Sequence, residues 1–314
     1  AAFLAACAAR RWRRPLTLSL AAIAAALWWP VVRPSRDLVE VHMIDVGQGD
    51  AIALRTPRGR WIVMDAGDAW RESDAGERVV APYLRRRGGE VAALILSHQH
   101  ADHIGGAASL LGRLPVATVW DGGFVQGSAV YASVLAAARS RGVAWRPARL
   151  GQAIEIDGVR LTVLAPDAKG VTGARNANEA SVVVMAEYRG VRLLLTGDAE
   201  QGEEDRLRGH FGSRLRADIL KVGHHGSATS STAPFLDAVA PRLALISVGD
   251  GNRYGHPSPS VLTALGRRRT TVLRTDDDGS IVVVIDGGPL RVRTDDGRWT
   301  LPLAPRRVEP AGVG

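Results

Sequence analysis

Three of the eight histidines in this 314-residue chain fall within six positions, in the run Ser97-His98-Gln99-His100-Ala101-Asp102-His103-Ile104-Gly105-Gly106. Imidazole is the commonest protein ligand for zinc-like ions, and carboxylate completes such sets, so this spacing points to metal chemistry. In a tight loop His98 and His100 can converge on one ion, while Asp102 and His103 can serve a second ion beside it. The Gly105-Gly106 pair is expected to let the backbone turn into a following helix. A further carboxylate, Asp198, ends the apolar run Leu193-Leu194-Leu195-Thr196-Gly197. Alone, Gly-Asp marks a turn. Its weight comes from repetition, because another apolar run enters Gly223-His224-His225-Gly226-Ser227 and a third precedes Asn252-Arg253-Tyr254-Gly255-His256-Pro257. Ligands at successive strand ends build a site along one rim of a layered domain.

The elements that must carry these residues can be read from periodicity. Short β-branched runs separated by Gly and Pro predict strands at 38–45, 51–56, 60–65, 92–96 and 116–120. Later strands are expected at 159–165, 180–187, 190–196, 217–222 and 242–247, then in TTVLRT, SIVVVID and LRVRT near the end. Helices fit at 76–87, 128–141, 200–209, 231–239 and 258–267. This alternation implies an α/β layered domain with helices outside packed sheets. His42, inside a strand, and His210, at a helix end, read as structural. The Asp276-Asp277-Asp278-Gly279 run lacks the spacing and the Glu of a calcium loop and reads as a hairpin turn.

Composition narrows the classes. Hydrophobic residues make up 46% and charged residues 23%, which fits a globular domain and excludes disorder, collagen and coiled coil. The single cysteine, Cys7, leaves no disulfide partner and no thiolate zinc cluster. The net charge of +8 is uneven: Arg10, Arg11, Arg13, Arg14, Arg33 and Arg36 lie in the first 36 residues with no acid, leaving about +2 for the rest. The basic balance therefore does not by itself announce a nucleic-acid partner. The uncharged stretch 16–32, with Trp28 and Trp29 near its end and four Arg before it, is expected to be a transmembrane helix. That orientation places the following domain on the extracytoplasmic side of the cell membrane. The expected division is a membrane segment over 1–36, a hydrolase domain over 37–300 and a flexible tail over 301–314. The apolar start without Met suggests the tail of a longer membrane protein, whose channel portion would be a partner.

His-x-His-x-Asp-His after a strand, then a strand-ending Gly-Asp and a later His, resembles the metallo-β-lactamase superfamily of binuclear hydrolases. The wording VGQGDAIAL, SHQHADHIGG, LLTGDAE, LKVGHHGSATSS and NRYGHPSP is similar to the C-terminal domain of ComEC-type DNA-uptake competence proteins, over about residues 38–285. It also resembles phosphodiesterases acting on phosphorylcholine-bearing cell-wall polymers. The resemblance implies a four-layer αββα sandwich preceded by one transmembrane helix, and two divalent ions, Zn²⁺ or Mn²⁺.

Carried over residue by residue, the resemblance puts His98 and His100 on the first ion, Asp102 and His103 on the second, and Asp198 between them. His224 is favoured over His225 to complete the second site. Asp65, and with it Asp50, would support the ligand loop. Asp102, Asp198, His225 and His256 are the catalytic candidates, and Asn178, Ser181 and Ser227 are candidates to touch substrate. One departure stands out: no histidine lies between His103 and Asp198, where many relatives supply a further ligand to the first ion. That opens the first site, makes Mn²⁺ plausible and counts against a true β-lactamase.

The expected activity is a metal-dependent phosphodiesterase, a nuclease on DNA that is single-stranded or being unwound during uptake, with a water held between the ions as nucleophile. The alternatives are an extracytoplasmic phosphodiesterase on a small or cell-envelope substrate, and a non-catalytic DNA-gripping domain of a membrane channel. The Arg85-Arg86-Arg87 and Arg267-Arg268-Arg269 triplets are candidate backbone contacts, although they read better as solvated helix faces.

Overall fold

The computed structural model describes residues 36–297 apart from 71, 126 and 296, together with Ser19. This description concerns the second of the two units into which the chain divides, Asp37–Gly314. The helix expected over 16–32 lies outside the described residues, as does the tail over 301–314. Among the described residues no helix is long and apolar enough to cross a membrane.

The chain builds one sheet, then a second, then returns to the first. Strands β1 (Val39–Met43), β2 (Ile52–Arg55), β3 (Trp61–Met64), β4 (Val91–Leu96), β5 (Thr118–Asp121) and β6 (Ala144–Pro147) lie in order across the first sheet. The second holds β7 (Ala153–Ile156), β8 (Val159–Ala165), β9 (Val183–Tyr188), β10 (Val191–Leu195), β11 (Ile219–Lys221), β12 (Leu243–Ile246) and β13 (Thr271–Arg274), again in sequence order. Strands β14 (Ile281–Ile285) and β15 (Arg291–Arg293) then close the outer edge of the first sheet beside β1. Each sheet starts as an antiparallel meander and turns parallel, at β3 to β6 in one and β10 to β13 in the other. Parallel neighbours need crossover connections, and these are the helices.

The helices are α1 (Ala81–Arg87), entered through a π-turn at Gly76–Val80, then α2 (Ala101–Ile104), α3 (Ala107–Arg113), α4 (Ala129–Ser140), α5 (Ala168–Gly173), α6 (Gln201–Phe211), α7 (Ala233–Val239), α8 (Pro259–Arg267) and α9 (Thr275–Asp278). Period-two alternation sorts the strand side chains into three cores. Val41 and Met43 of β1 meet Val184 of β9 and Leu193 and Leu195 of β10 between the sheets. Leu94 and Leu96 of β4 face outward onto Ile104, Leu110 and Val134. Leu194 of β10 and Leu220 of β11 face Leu207, Phe235 and Leu265 on the other side. Three cores make a four-layer αββα sandwich, as the sequence implied.

Several local expectations are corrected. Asp276-Asp277-Asp278 is not a hairpin turn; it forms the short helix α9, which carries the chain from β13 in one sheet to β14 in the other. Gly105 and Gly106 have helical backbone angles and supply closeness rather than a bend. A Cβ on Gly106 would lie 2.2 Å from Gly76 N and 2.3 Å from Ala66 O, so side chains there would push the ligand loop off the sheet. Strands β6 and β7 were not expected. Both are short edge strands: β6 is mostly exposed, and in β7 only Ile154 and Ile156 turn toward the core. His42 is buried against Tyr83 and Trp61, with Nδ1 2.9 Å from Tyr83 Oη.

Candidate metal centre

The C-terminal ends of parallel strands from both sheets meet at one rim, the usual place for an α/β site. The fully buried strand β4 ends at Ser97 and His98, β10 at Gly197 and Asp198, and β11 at the Gly223–Gly226 turn. The preceding segment Gly47–Asp50 straps across the rim. Asp50 N donates to Asp102 O at 3.0 Å, and a Cβ on Gly49 (φ +123°) would lie 2.1 Å from that same oxygen. Ser247 Oγ, after β12, donates to Gly49 O at 2.6 Å, tying the strap to the second sheet.

Asp65 follows β3 with φ of 62°, a conformation Asp tolerates better than most residues. Its Oδ1 accepts from Ser97 N at 2.8 Å and its Oδ2 lies 2.9 Å from His103 Nδ1. The carboxylate fixes Nδ1 as the protonated nitrogen, so His103 Nε2 points into the cluster, 3.2 Å from Asp198 Oδ1. His98 Nε2 lies 3.0 Å from His100 Nδ1 and 3.8 Å from Asp198 Oδ2. On the other flank His225 Nε2 lies 3.3 Å from Asp102 Oδ2 and 3.8 Å from Asp198 Oδ2. Asp198 thus stands between two sets of nitrogen and oxygen donors.

Those donors fit divalent cations. His103 Nε2, His225 Nε2 and Asp198 Oδ1 are buried and make no hydrogen bond of normal geometry. Buried polar atoms are nearly always satisfied, so a group of unsatisfied donors converging from three loops points to a cation. Four overlapping groups have ligand atoms within 4.8 Å of one another: His98, His103 and Asp198; Asp102, His103 and His225; Asp50, Asp65 and His103; and Asp50, Asp198 and His225.

The electrostatics prepare the carboxylates and one imidazole for that role. Burial, helped by His103, pushes the His98 pKa well down, leaving a neutral ring with a free lone pair. Burial also lowers His100. Burial would lower His103 too, but Asp198 and Asp102 outweigh it and hold its pKa well above the ordinary value. His225 is likewise pulled down by burial, then raised to about 9 by Asp198 and Asp50. Burial opposes ionisation of Asp198, yet His103 and His225 hold its pKa well below the usual range. Asp102, where His103 and His225 overcome burial, is lowered as well.

The sequence matches the metallo-beta-lactamase superfamily over residues 44–250. The chain belongs to that superfamily. It is 39% identical over 256 residues to ComE operon protein 3 of Bacillus subtilis, a match covering 77% of this chain and 32% of that protein. Recombination protein 2 of Haemophilus influenzae is 32% identical, with coverage of 79% and 29%, and competence protein ComA of Neisseria gonorrhoeae is 31% identical, with coverage of 81% and 33%. The chain spans about a third of the length of these relatives. Among solved structures it shares its fold with the metallo-beta-lactamase fold protein YhfI of Bacillus subtilis, at TM-score 0.50, 10% identity and coverage of 76% and 95%. A metallo hydrolase of Ignicoccus hospitalis, Igni18, matches at TM-score 0.50 and 12% identity, with coverage of 77% and 98%.

Within this metallo-beta-lactamase domain the two adjacent histidines take different places from those expected of them. Both have left-handed backbones, His224 at φ 47° and His225 at φ 53°, a strain of about 1–3 kcal/mol each for such residues. The double twist sends them to opposite sides. His225 turns inward, with Nδ1 donating to Ser247 O at 2.9 Å and Nε2 in the cluster. His224 turns to the rim, a quarter exposed, with Nδ1 3.1 Å from Glu200 Oε1 and Nε2 3.8 Å from Asp198 Oδ2. His256 stands outside it, the two ring centroids 5.8 Å apart.

The candidates for substrate contact are divided as well. Ser181 is buried, and its Oγ accepts from Asp198 N at 3.3 Å, so it holds the central carboxylate's backbone. Ser227 closes its own turn, with Oγ 3.0 Å from Thr229 Oγ1. Asn178 is buried, and its Oδ1 makes no hydrogen bond. The arginine triplets precede β4 and β13, so both lie at the rim opposite the site. Arg87 packs over the Tyr83 ring and Arg268 bonds Asp237 and the Ala233 and Ala264 carbonyls.

Lys221 was not anticipated. It ends β11, is fully buried, and contacts Asp50 Oδ2 directly while donating to Gly197 O at 3.0 Å. Burial disfavours its charge, but Asp50 and Asp198 outweigh that and raise its pKa. Lys221 in turn outweighs the effect of burial on Asp50, whose pKa is lowered to about 2. The signal was available: a lysine inside an apolar strand, Ile219–Lys221, must be paired.

Proposed function

We propose that this domain is a metal-dependent phosphodiesterase that cleaves DNA during uptake across a membrane. The observation that carries the reading is the convergence of unsatisfied buried donors on Asp198 from strand ends of both sheets. The names of the competence and recombination relatives support DNA as the substrate.

In this reading His98, His100 and Asp198 hold a first divalent ion, and Asp102, His103, Asp198 and His225 hold a second. His225 takes the place expected of His224, because its Nε2 faces Asp102 and Asp198 while His224 is engaged by Glu200. Two such ions, when bound, supply Lewis acidity toward a phosphoryl oxygen and lower the pKa of a water molecule. The residues of the chain do the rest. Asp65 keeps His103 in the tautomer whose Nε2 points inward. Ser181 and Lys221 hold the two polar groups of the Gly197–Asp198 peptide, the Asp198 N–H and Gly197 O. At the open face His256 is at hand to bind a phosphate oxygen or pass a proton to the leaving group. Burial, with His224 and His225 next, lowers its pKa, so the neutral ring keeps one N–H to donate to a phosphate oxygen and must take up a proton before acting as an acid.

The segment 16–32 would anchor this domain at the cell membrane, on the extracytoplasmic side, beside the channel portion of a longer polypeptide. The test is cleavage of single-stranded DNA, duplex DNA and a small phosphodiester by the full chain with Zn²⁺ or Mn²⁺, with Asp198→Ala and His98→Ala as controls. Cleavage of DNA that both substitutions abolish supports the reading. Hydrolysis of the small ester alone removes the DNA assignment and favours a small or envelope substrate. Tight DNA binding without cleavage favours the gripping role.

A further inference from the structure

One aromatic ring beside this centre stands in solvent, as few large apolar groups do among the described residues. Tyr254 is 55% exposed, among only a few exposed large hydrophobic residues described. Its ring lies nearly parallel to that of His256, at 17° with centroids 5.9 Å apart, and Arg253 packs its guanidinium 5.2 Å from the Tyr254 centroid. From His256 the next ring inward is His224, whose Nε2 is 3.8 Å from Asp198 Oδ2. Three rings therefore step outward from the centre to the surface.

The loop that presents them is held by one side chain. Asn252 Oδ1 accepts from the backbone N–H groups of Tyr254 (3.2 Å) and His256 (3.1 Å). Its Nδ2 donates to His256 O at 2.7 Å and Gly249 O at 3.1 Å. A loop tied at four points keeps an exposed tyrosine in place without a core to bury it. Such an arrangement is preorganised and loses little side-chain freedom on binding.

We propose that Tyr254, backed by His256 and Arg253, is a stacking platform for a nucleobase next to the scissile phosphate, and that it selects unpaired strands over duplex. This rests on the phosphodiesterase reading above and names the substrate class. A base has two flat faces that stack on aromatic rings in any sequence, whereas a paired base inside a duplex offers neither. The guanidinium beside the ring adds positive charge for the adjoining phosphate.

The test separates this proposal from the reading it rests on. Binding of a fluorescent deoxythymidine oligonucleotide and of an abasic oligonucleotide of equal length is measured by anisotropy, with the full chain loaded with Mn²⁺. Cleavage of both is followed in parallel. The wild-type chain is expected to bind the base-bearing strand more tightly, Tyr254→Phe to keep that preference and Tyr254→Ala to lose it, by roughly 5- to 100-fold in affinity. Equal binding of the two strands by the wild type overturns the proposal. So does a Tyr254→Ala loss that is the same on both strands, which would report a disrupted loop. A base preference that depends on Tyr254 in a chain that cleaves neither strand upholds the platform and removes the phosphodiesterase reading.

Discussion

His103 Nδ1 lies 2.9 Å from Asp65 Oδ2, and the other oxygen of that carboxylate receives Ser97 N at 2.8 Å. One buried side chain from the end of β3 thereby sets both the start of the ligand loop and the tautomer of its last histidine. Asp65→Asn keeps the volume but removes an acceptor. It is expected to lower metal affinity about 10- to 100-fold while leaving the fold intact. Chelator competition followed by circular dichroism checks both halves of the statement.

Lys221 and Asp50 form a buried charge pair whose separate halves cannot stand alone. Lys221→Met leaves the Asp50 carboxylate among Asp198 and Asp102 without its cation, and should destabilise the domain by about 3–5 kcal/mol in urea unfolding. The double variant Lys221→Met with Asp50→Asn should recover a large part of that loss. Equal destabilisation in single and double variants would show that packing, not charge, is what matters at Lys221.

Glycines divide sharply by what surrounds them. Gly106→Ala would drive a Cβ into Gly76 N and Ala66 O and is expected to displace the ligand loop, with metal binding lost before the fold is. Gly112, in α3, has nothing within 4 Å of the same atom, so Gly112→Ala should stabilise by about 0.5–1 kcal/mol. The two variants, compared by thermal unfolding with and without metal, serve as each other's control.

Asp157 ties the β7–β8 turn to the β2–β3 turn. It accepts from Arg60 Nε at 3.0 Å and Nη2 at 2.6 Å, and from Thr56 Oγ1 at 2.7 Å. Burial opposes its ionisation, but these partners outweigh it and hold its pKa below the ordinary value. A folded-state pKa lower than the unfolded one gives stability that is full above about pH 4 and is lost as pH falls through the folded value. Asp157→Asn should therefore lower stability at neutral pH and flatten its acid dependence. An unchanged acid limb in that variant would remove the ion pair from the account.

The sequence carried the architecture because short apolar, β-branched runs separated by Gly and Pro mark the strands: those holding Val41, Leu94, Leu193 and Leu220 are buried almost throughout. It also pointed to the candidate metal-binding loop: His98, Asp102 and His103 each join a group of converging ligand atoms, whereas His100 joins none. What it could not carry was geometry beyond the local chain. Nothing in Gly223-His224-His225-Gly226 says that two left-handed residues will turn one ring inward and the other to Glu200. Nothing in Gly105-Gly106 distinguishes a bend from a close approach to Gly76. The arginine triplets fit solvated helix faces better than substrate contacts, and the strand directions put them at the far rim. Strands β6 and β7 are hard to read because they are four-residue edge strands, one mostly exposed and the other with only Ile154 and Ile156 toward the core.

Whether Asp198 stands between two ions is read out by equilibrium dialysis against Mn²⁺ or Zn²⁺ with elemental analysis. A two-ion centre gives about two ions per wild-type chain. Occupancy is expected to fall sharply in Asp198→Ala and in His225→Ala, and to change little in His224→Ala. A wild-type chain that binds no ion at stoichiometric level, or one whose occupancy survives Asp198→Ala, would contradict that centre.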